Sequence, residues 1–145
     1  MLNERKTLMK VSLEALEERR KNLWRQLESL GDFRRGTVSV NYRKCGKPNC
    51  ACARAGHPGH GPQYLWNATL GGKSQAKNLA LGPELEKVGQ EVENYRRFQR
   101  WLEEWVEVNE AICQLRPLRQ LEGEQEGEEL KKKLQQRYSR KPSKR

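Results

Sequence analysis

No stretch of this 145-residue chain approaches the roughly 20 apolar residues that a membrane span needs. Met1 to Lys10 is charged and has no apolar segment, so no secretory leader is expected there. Hydrophobic residues make up 34 % of the chain against 33 % charged, and mean hydropathy is −1.05. A large core is thereby excluded, and one domain with extensions is expected. Histidine is scarce, with two in all, and residues 36–70 contain no Asp or Glu. No phosphate-binding loop, no paired carboxylates near the histidines and no Ser/His/Asp set stands out, which speaks against an enzyme. There is no internal repeat.

What the chain does have is a cluster of soft ligands. Cys45, Cys50 and Cys52 lie within eight residues, and His57 and His60 follow at once. Gly46 and Pro48 allow a tight turn between the first two cysteines, and Gly56, Pro58 and Gly59 let the chain return with a histidine. Three thiolates and one imidazole are what a structural Zn²⁺ takes, with no open coordination position left over. A catalytic zinc would need such a position and a nearby acid or base. Reduced cysteines packed as small hydrophobes are the bland alternative, but the surrounding Lys, Asn, Pro and Gly are not core-like. A redox pair at Cys50 and Cys52 lacks the flanking βαβ pattern. Spacing alone leaves His57 and His60 both open as fourth ligand. Cys113, far along the chain on a helical seam, is expected as a buried apolar residue.

Charge is distributed unevenly around this cluster. The net charge is +10. Residues 31–82 carry eight Lys/Arg against one Asp/Glu, whereas residues 83–116 carry five against eight. Positive charge therefore concentrates where the cysteines are, and a polyanionic partner, most simply nucleic acid, is expected. Arg34, Arg35, Arg43, Lys44, Lys47, Arg54, Lys73 and Lys77 are the candidate phosphate contacts. The partner expected is DNA or RNA.

Periodicity places the elements. Ser12 to Leu30 reads as a helix with Leu13, Leu16, Leu23, Leu27 and Leu30 on one stripe and Ser12 as N-cap. Thr37 to Tyr42 alternates as a strand. Gln63 to Leu70 and Lys73 to Leu81 form a hairpin around Gly71-Gly72. A two-residue turn puts Tyr64 opposite Leu79, Trp66 opposite Lys77 and Ala68 opposite Gln75. Tyr64, Trp66, Leu70, Leu79 and Leu81 then share one face, where Tyr64 and Trp66 either stack on unpaired bases or pack under a helix.

Gly82-Pro83 opens a long helix. Leu85, Val88, Val92, Tyr95, Gln99, Leu102, Val106, Asn109 and Cys113 follow a 3-4 spacing, a heptad seam, with Phe98, Trp105 and Ile112 in a second row. If the two helices pair across the strands, the longer one overshoots. Phe98, Leu102, Trp105, Asn109 and Ile112 would then offer a surface for a second copy or a larger protein, unless the stripe packs on its own chain. Residues 118–129 read as a flexible acidic linker, Leu130 to Tyr138 as a helical turn or two, and Ser139 to Arg145 as a basic tail.

The fold class is therefore α+β: a small antiparallel sheet of about three strands with a Cys₃His knuckle, flanked by an N-terminal helix and a long C-terminal coiled-coil-like helix. Residues 1–11 form a basic lead-in, 12–116 the folded domain, and 117–145 a flexible extension. A cysteine cluster expected to bind metal suits the cytoplasm better than an oxidising compartment.

From Tyr42 to Leu81 the chain resembles a prokaryotic domain family of unknown function. The likeness rests on Cys45-Gly46-Lys47-Pro48-Asn49-Cys50-Ala51-Cys52, His60-Gly61-Pro62-Gln63-Tyr64, Gly71-Gly72-Lys73 and, on the long helix, Asn94-Tyr95-Arg96-Arg97-Phe98. The resemblance implies that His60, in its HGP turn, completes the ligand set with Cys45, Cys50 and Cys52. It also implies an association with mobile genetic elements, and it carries no activity. A non-enzymatic, zinc-stabilised nucleic-acid-binding accessory protein is the leading expectation. The alternative is an interaction module that docks on a larger nucleic-acid enzyme through residues 83–116.

Overall fold

Helix α1 spans Leu13–Glu28 in the computed structural model of the chain, which describes residues 11–139. Ser12 is its N-cap: Ser12 Oγ accepts from the Ala15 N–H at 3.2 Å and satisfies a donor the first turn leaves free. The helix ends one residue before Ser29, whose N–H returns to the Arg25 carbonyl. Leu16 and Leu23, seven residues apart on one face, are buried, while Trp24 beside them is 56 % exposed.

Three strands follow: β1 (Thr37–Arg43), β2 (His60–Leu70) and β3 (Lys73–Leu79), antiparallel in the order β1-β2-β3. The hairpin register is the one its turn dictates. Gly71 and Gly72 both have positive φ, 57° and 75°, which a two-residue turn of matching twist requires. Tyr64 accordingly faces Leu79, Trp66 faces Lys77 and Ala68 faces Gln75. The strand stops short of Leu81, which is 76 % exposed and does not join the apolar face expected for it. The covered face carries Val38, Tyr64, Trp66, Ala68 and Leu79. The opposite face carries Thr37, Ser39 and Asn41 of β1, Gln63, Leu65, Asn67 and Thr69 of β2, and Ser74, Ala76 and Asn78 of β3.

Helix α2 runs Pro83–Leu115 and serves two partners. Its first half packs Val88 and Val92 on Leu79, with Val38, Tyr64, Trp66 and Leu85 around them. Its second half packs Val108, Ala111 and Ile112 on Leu16 and Leu23 of α1, with Leu13, Trp101 and Trp105 at the margin. At about 100° per residue, Val108 and Ile112 lie roughly 200–240° around the helix from Val88, nearly the opposite side. The expected single heptad seam is therefore corrected. Leu85, Val88 and Val92 belong to the buried surface, but Leu102 (38 %), Val106 (44 %) and Cys113 are exposed. The buried stripe changes sides because the helix passes from the sheet to α1.

Between these two contacts the linker after α1 is latched to α2. Phe33 stacks on Phe98 at 4.9 Å and on Tyr95 at 5.8 Å. Asn94 donates to the Asp32 carbonyl at 2.9 Å. The pairs Arg20–Asn109, Trp24–Trp105, Asp32–Asn94 and Arg34–Glu91 step in opposite directions along the two segments, so α1 runs antiparallel to the distal half of α2. The overshoot of the longer helix does not occur.

Glu91, 7 % exposed, holds Arg34 at 2.7 Å and also pairs with Lys87. Hydrogen bonding from Lys87 first, then from Arg34, keeps its carboxyl below the ordinary glutamate value of 4.5. A carboxylate depressed on folding adds stability above its unfolded value and loses it as pH falls. Thermal stability should therefore drop as pH falls through and below 4.5. A Glu91→Gln variant should start about 1–3 kcal/mol lower at neutral pH and lose less across that interval. Equal acid losses in both proteins would show that the latch carries no such linkage.

Residues 115–145 form a separate unit. Its helix α3 spans Glu124–Tyr138, so the second half of the expected acidic linker is helical. Glu126 explains the early start. Its carboxylate accepts from the Glu122 N–H at 2.7 Å and pairs with Arg119 at 2.6 Å, bringing negative charge to the first turn. Residues 1–10 and 140–145, which hold most of the expected basic lead-in and tail, lie outside the described residues. Among the described residues no helix is long and apolar enough to cross a membrane.

Candidate metal centre

The ligands sit where β1 hands over to β2. Strand β1 ends at Arg43, the chain turns through a single 3₁₀ turn at Ala51–Ala53, and β2 begins at His60. A bulge between Asn41 and Arg43 shifts the register, so that Arg43 pairs with His60. Gly59 makes that close return possible. Its φ is +101°, and a Cβ there would lie 2.6 Å from the Arg43 backbone. The following Gly61–Pro62 bond is cis.

This geometry gathers four donors. Cys45 Sγ, Cys50 Sγ, Cys52 Sγ and a His60 ring nitrogen all lie within 4.8 Å of one another. Cys45 Sγ is 3.5 Å from Cys52 Sγ, and Cys50 Sγ is 3.2 Å from His60 Nε2. A tetrahedral ion with metal–sulfur bonds of ~2.3 Å spaces its ligands by about 3.8 Å, so the set fits around one ion. His57 is spent otherwise: its Nδ1 accepts from the Gly59 N–H at 3.0 Å and fixes the turn. Cys113 is not part of the cluster, and it is exposed on α2 rather than buried.

The thiols differ in acidity. Cys45 is lowered to about 6 by the Lys47 backbone N–H, then by His60 and Cys52. Cys52 is almost fully buried. The Cys45 N–H pulls it down, but burial and the neighbouring Cys45 and Cys50 thiols outweigh that and push it up. A cation would relieve this competition, because it favours the thiolate at every position. A tetrahedral ion held by all four donors would have no open coordination position.

The candidate phosphate contacts separate in space. Arg43, Lys44, Lys47 and Arg54 are exposed around the cluster, with Lys44 Nζ donating to the Arg54 carbonyl at 3.4 Å. Arg35 and Lys73 are exposed at the other end of the sheet. Arg34 and Lys77 are held by carboxylates. Arg34 pairs with Glu91 and lies 5.1 Å over the Trp66 ring, and Lys77 pairs with Glu84 at 2.9 Å. Tyr64 and Trp66 lie on the covered face with Leu79, Val88 and Val92, and Trp66 Nε1 donates to the Arg35 carbonyl at 2.9 Å. Packing under the helix, not stacking, is their observed use.

The expected partner surface on α2 is also largely engaged. Ile112 is 2 % exposed, Trp105 packs beside α1, and Phe98 stacks on Phe33. Asn109 accepts from Arg20 and donates to the Trp105 carbonyl. Of those residues only Leu102 is exposed. The latching roles of Glu91 on Arg34 and of Asn94 on Asp32 were not legible in the sequence, because those partners stand 57 and 62 residues away.

Comparison with known proteins adds a family and no activity. Residues 13–90 match a domain of unknown function, DUF6788, from the start of α1 into the first turns of α2 and including all four donors. The Asn94–Phe98 run lies beyond that match. No curated protein and no solved structure matches the chain. With 78 of 145 residues matched, Cys₃His cluster and sheet included, the chain belongs to the DUF6788 family.

Proposed function

We propose that this protein is a non-enzymatic, zinc-stabilised nucleic-acid-binding accessory protein of the cytoplasm. One observation carries the reading. Arg43, Lys44, Lys47 and Arg54 are exposed around the Cys₃His cluster, in a segment with no Asp or Glu between Asp32 and Glu84. Zinc is the ion of choice on donor chemistry, since three thiolates and one imidazole form a closed soft-ligand set. Three thiolates and one Zn²⁺ change the local charge by only −1, so the surface stays basic. The metal's task is to hold the loop that presents these four bases.

Four phosphate contacts set the expected salt dependence. At about 0.9 per contact, the slope of log K against log salt on duplex DNA is roughly −3.6, a loss of ~100-fold between about 50 and 200 mM. Fluorescence anisotropy on mixed-sequence DNA and RNA measures it. Reversing Lys44, Lys47 and Arg54 together should flatten the slope by about three contacts. Reversing Lys77, already paired with Glu84, should change it little. If neither DNA nor RNA binds at low salt, the reading is wrong.

A further inference from the structure

The uncovered face of the sheet has an unusual chemistry. Its ten side chains on β1, β2 and β3 include no charge, in a chain that is 33 % charged. All ten are exposed or half-buried, so no core requirement excludes Lys or Glu from them. Solvated sheet faces ordinarily carry such charges. Here Asn41, Gln63, Asn67 and Asn78 offer amides, with hydroxyls of Ser and Thr between them. Asn67 Nδ2 bonds Ser39 Oγ at 2.8 Å, which orients that amide.

The charge sits at the two ends instead. Arg43, Lys44, Lys47 and Arg54 lie beyond one end, and Arg35 and Lys73 at the other. From Thr37 to Arg43 the strand spans about 20 Å at ~3.3 Å per residue. Neutral hydrogen-bonding groups between two basic ends match the division of labour on DNA, where phosphate contacts position and base-edge contacts specify.

We infer that this face reads duplex DNA through the major groove, with the two basic ends on the phosphate backbones, so that Arg35 and Lys73 add two contacts to the four above and steepen the salt slope to about −5.4. The inference rests on the nucleic-acid reading above and adds to it the ligand class and the recognition surface. Dimensions agree. The outer strands are about 10 Å apart at ~4.8 Å per strand spacing, against a groove of ~12 Å. Laid along the groove, 20 Å covers about six base pairs at 3.4 Å rise. Asn and Gln amides bond adenine at N6 and N7, and Ser or Thr hydroxyls serve several bases. Single strands are disfavoured because the face has no aromatic side chain for stacking. Duplex RNA is disfavoured because its major groove is too deep and narrow for side chains. A protein partner is disfavoured because Leu65 and Ala76 alone are apolar there.

The test uses the full zinc-loaded chain. A random-sequence duplex pool is selected for binding, and affinities for selected and scrambled duplexes are compared. Asn41→Ala, Gln63→Ala and Asn78→Ala, all at exposed positions, should each reduce the selected-to-scrambled ratio about tenfold. Their salt slopes should stay unchanged, which loss of the phosphate contacts would not allow. Chemical modification of purine N7, adenine included, should be blocked in the wild-type complex, which marks the major groove and needs no variant to fold. A pool without a preferred sequence, an unchanged ratio in all three variants, protection confined to the minor groove, or preference for single strands or duplex RNA overturns the inference while leaving nucleic-acid binding intact. Absence of binding to any nucleic acid at low salt removes both.

Discussion

A Cys52→Ser variant is expected to purify with no zinc and to lose ordered structure between β1 and β2. Residues 44–59 hold no hydrophobic core of their own: Cys52 is the one side chain buried there, and the backbone contributes only a few turn bonds, from Cys50 to Lys47, Ala53 to Cys50, Arg54 to Ala51 and His57 to Arg54. Structural zinc contributes about 10–16 kcal/mol in small metal-folded units, comparable with or above the ~5–15 kcal/mol that separates a whole domain from its unfolded chain. On the proposed zinc assignment, such a segment should lose its shape when the ion is removed. Elemental analysis should find one equivalent in the wild type, none in the Cys45, Cys50, Cys52 or His60 variants, and one in His57→Ala and Cys113→Ala. Amide exchange should become fast from Lys44 to Gly59 in the metal-free protein. Full protection there without metal would remove the structural role assigned to the cluster.

Leu23→Ala is expected to cost about 2–5 kcal/mol and to lower the melting temperature by about 10 °C. Leu23 has 0 % exposure and stands in a cluster of only five buried residues, with Leu16, Val108, Ala111 and Ile112. Polar contacts beside this cluster also join α1 to α2: the exposed pair of Arg19 with Glu104 and the half-buried bond of Arg20 to Asn109. An exposed pair such as Arg19–Glu104 contributes only ~0–1 kcal/mol. Leu102→Ala, on the exposed side of α2, should cost less than about 1 kcal/mol. Zinc content should remain at one equivalent in both variants, since none of the donors touches this cluster. A loss under about 1 kcal/mol in Leu23→Ala would mean that this cluster does not hold α1 in place.

The family match runs from α1 to the start of α2 and contains the four candidate metal donors. The distal half of α2 lies outside the match, yet it supplies Val108, Ala111 and Ile112 to the core that holds α1.

Several features were legible from the chain alone because they are set within a few residues. Ser12 caps α1 through a hydrogen bond three residues long. Gly71-Gly72 fixes the hairpin register, since a two-residue turn leaves one way to pair the strands. Pro83 starts α2. Cys45, Cys50, Cys52 and His60 converge over sixteen residues rich in Gly and Pro, so sequence proximity already implied spatial proximity. Tertiary structure decided whatever depended on which distant element arrived. Helix α2 has apolar residues on more than one side, and only the docking of the sheet at one end and α1 at the other determined that Val106 is exposed and Val108 buried. Arg34 belongs to the basic segment by sequence, yet Glu91, 57 residues on, holds it. Tyr64 and Trp66 face a helix rather than a ligand for the same reason. Periodicity reports that a side chain is apolar and which neighbours share its face, but the partner that covers the face is set by the packing of the whole chain.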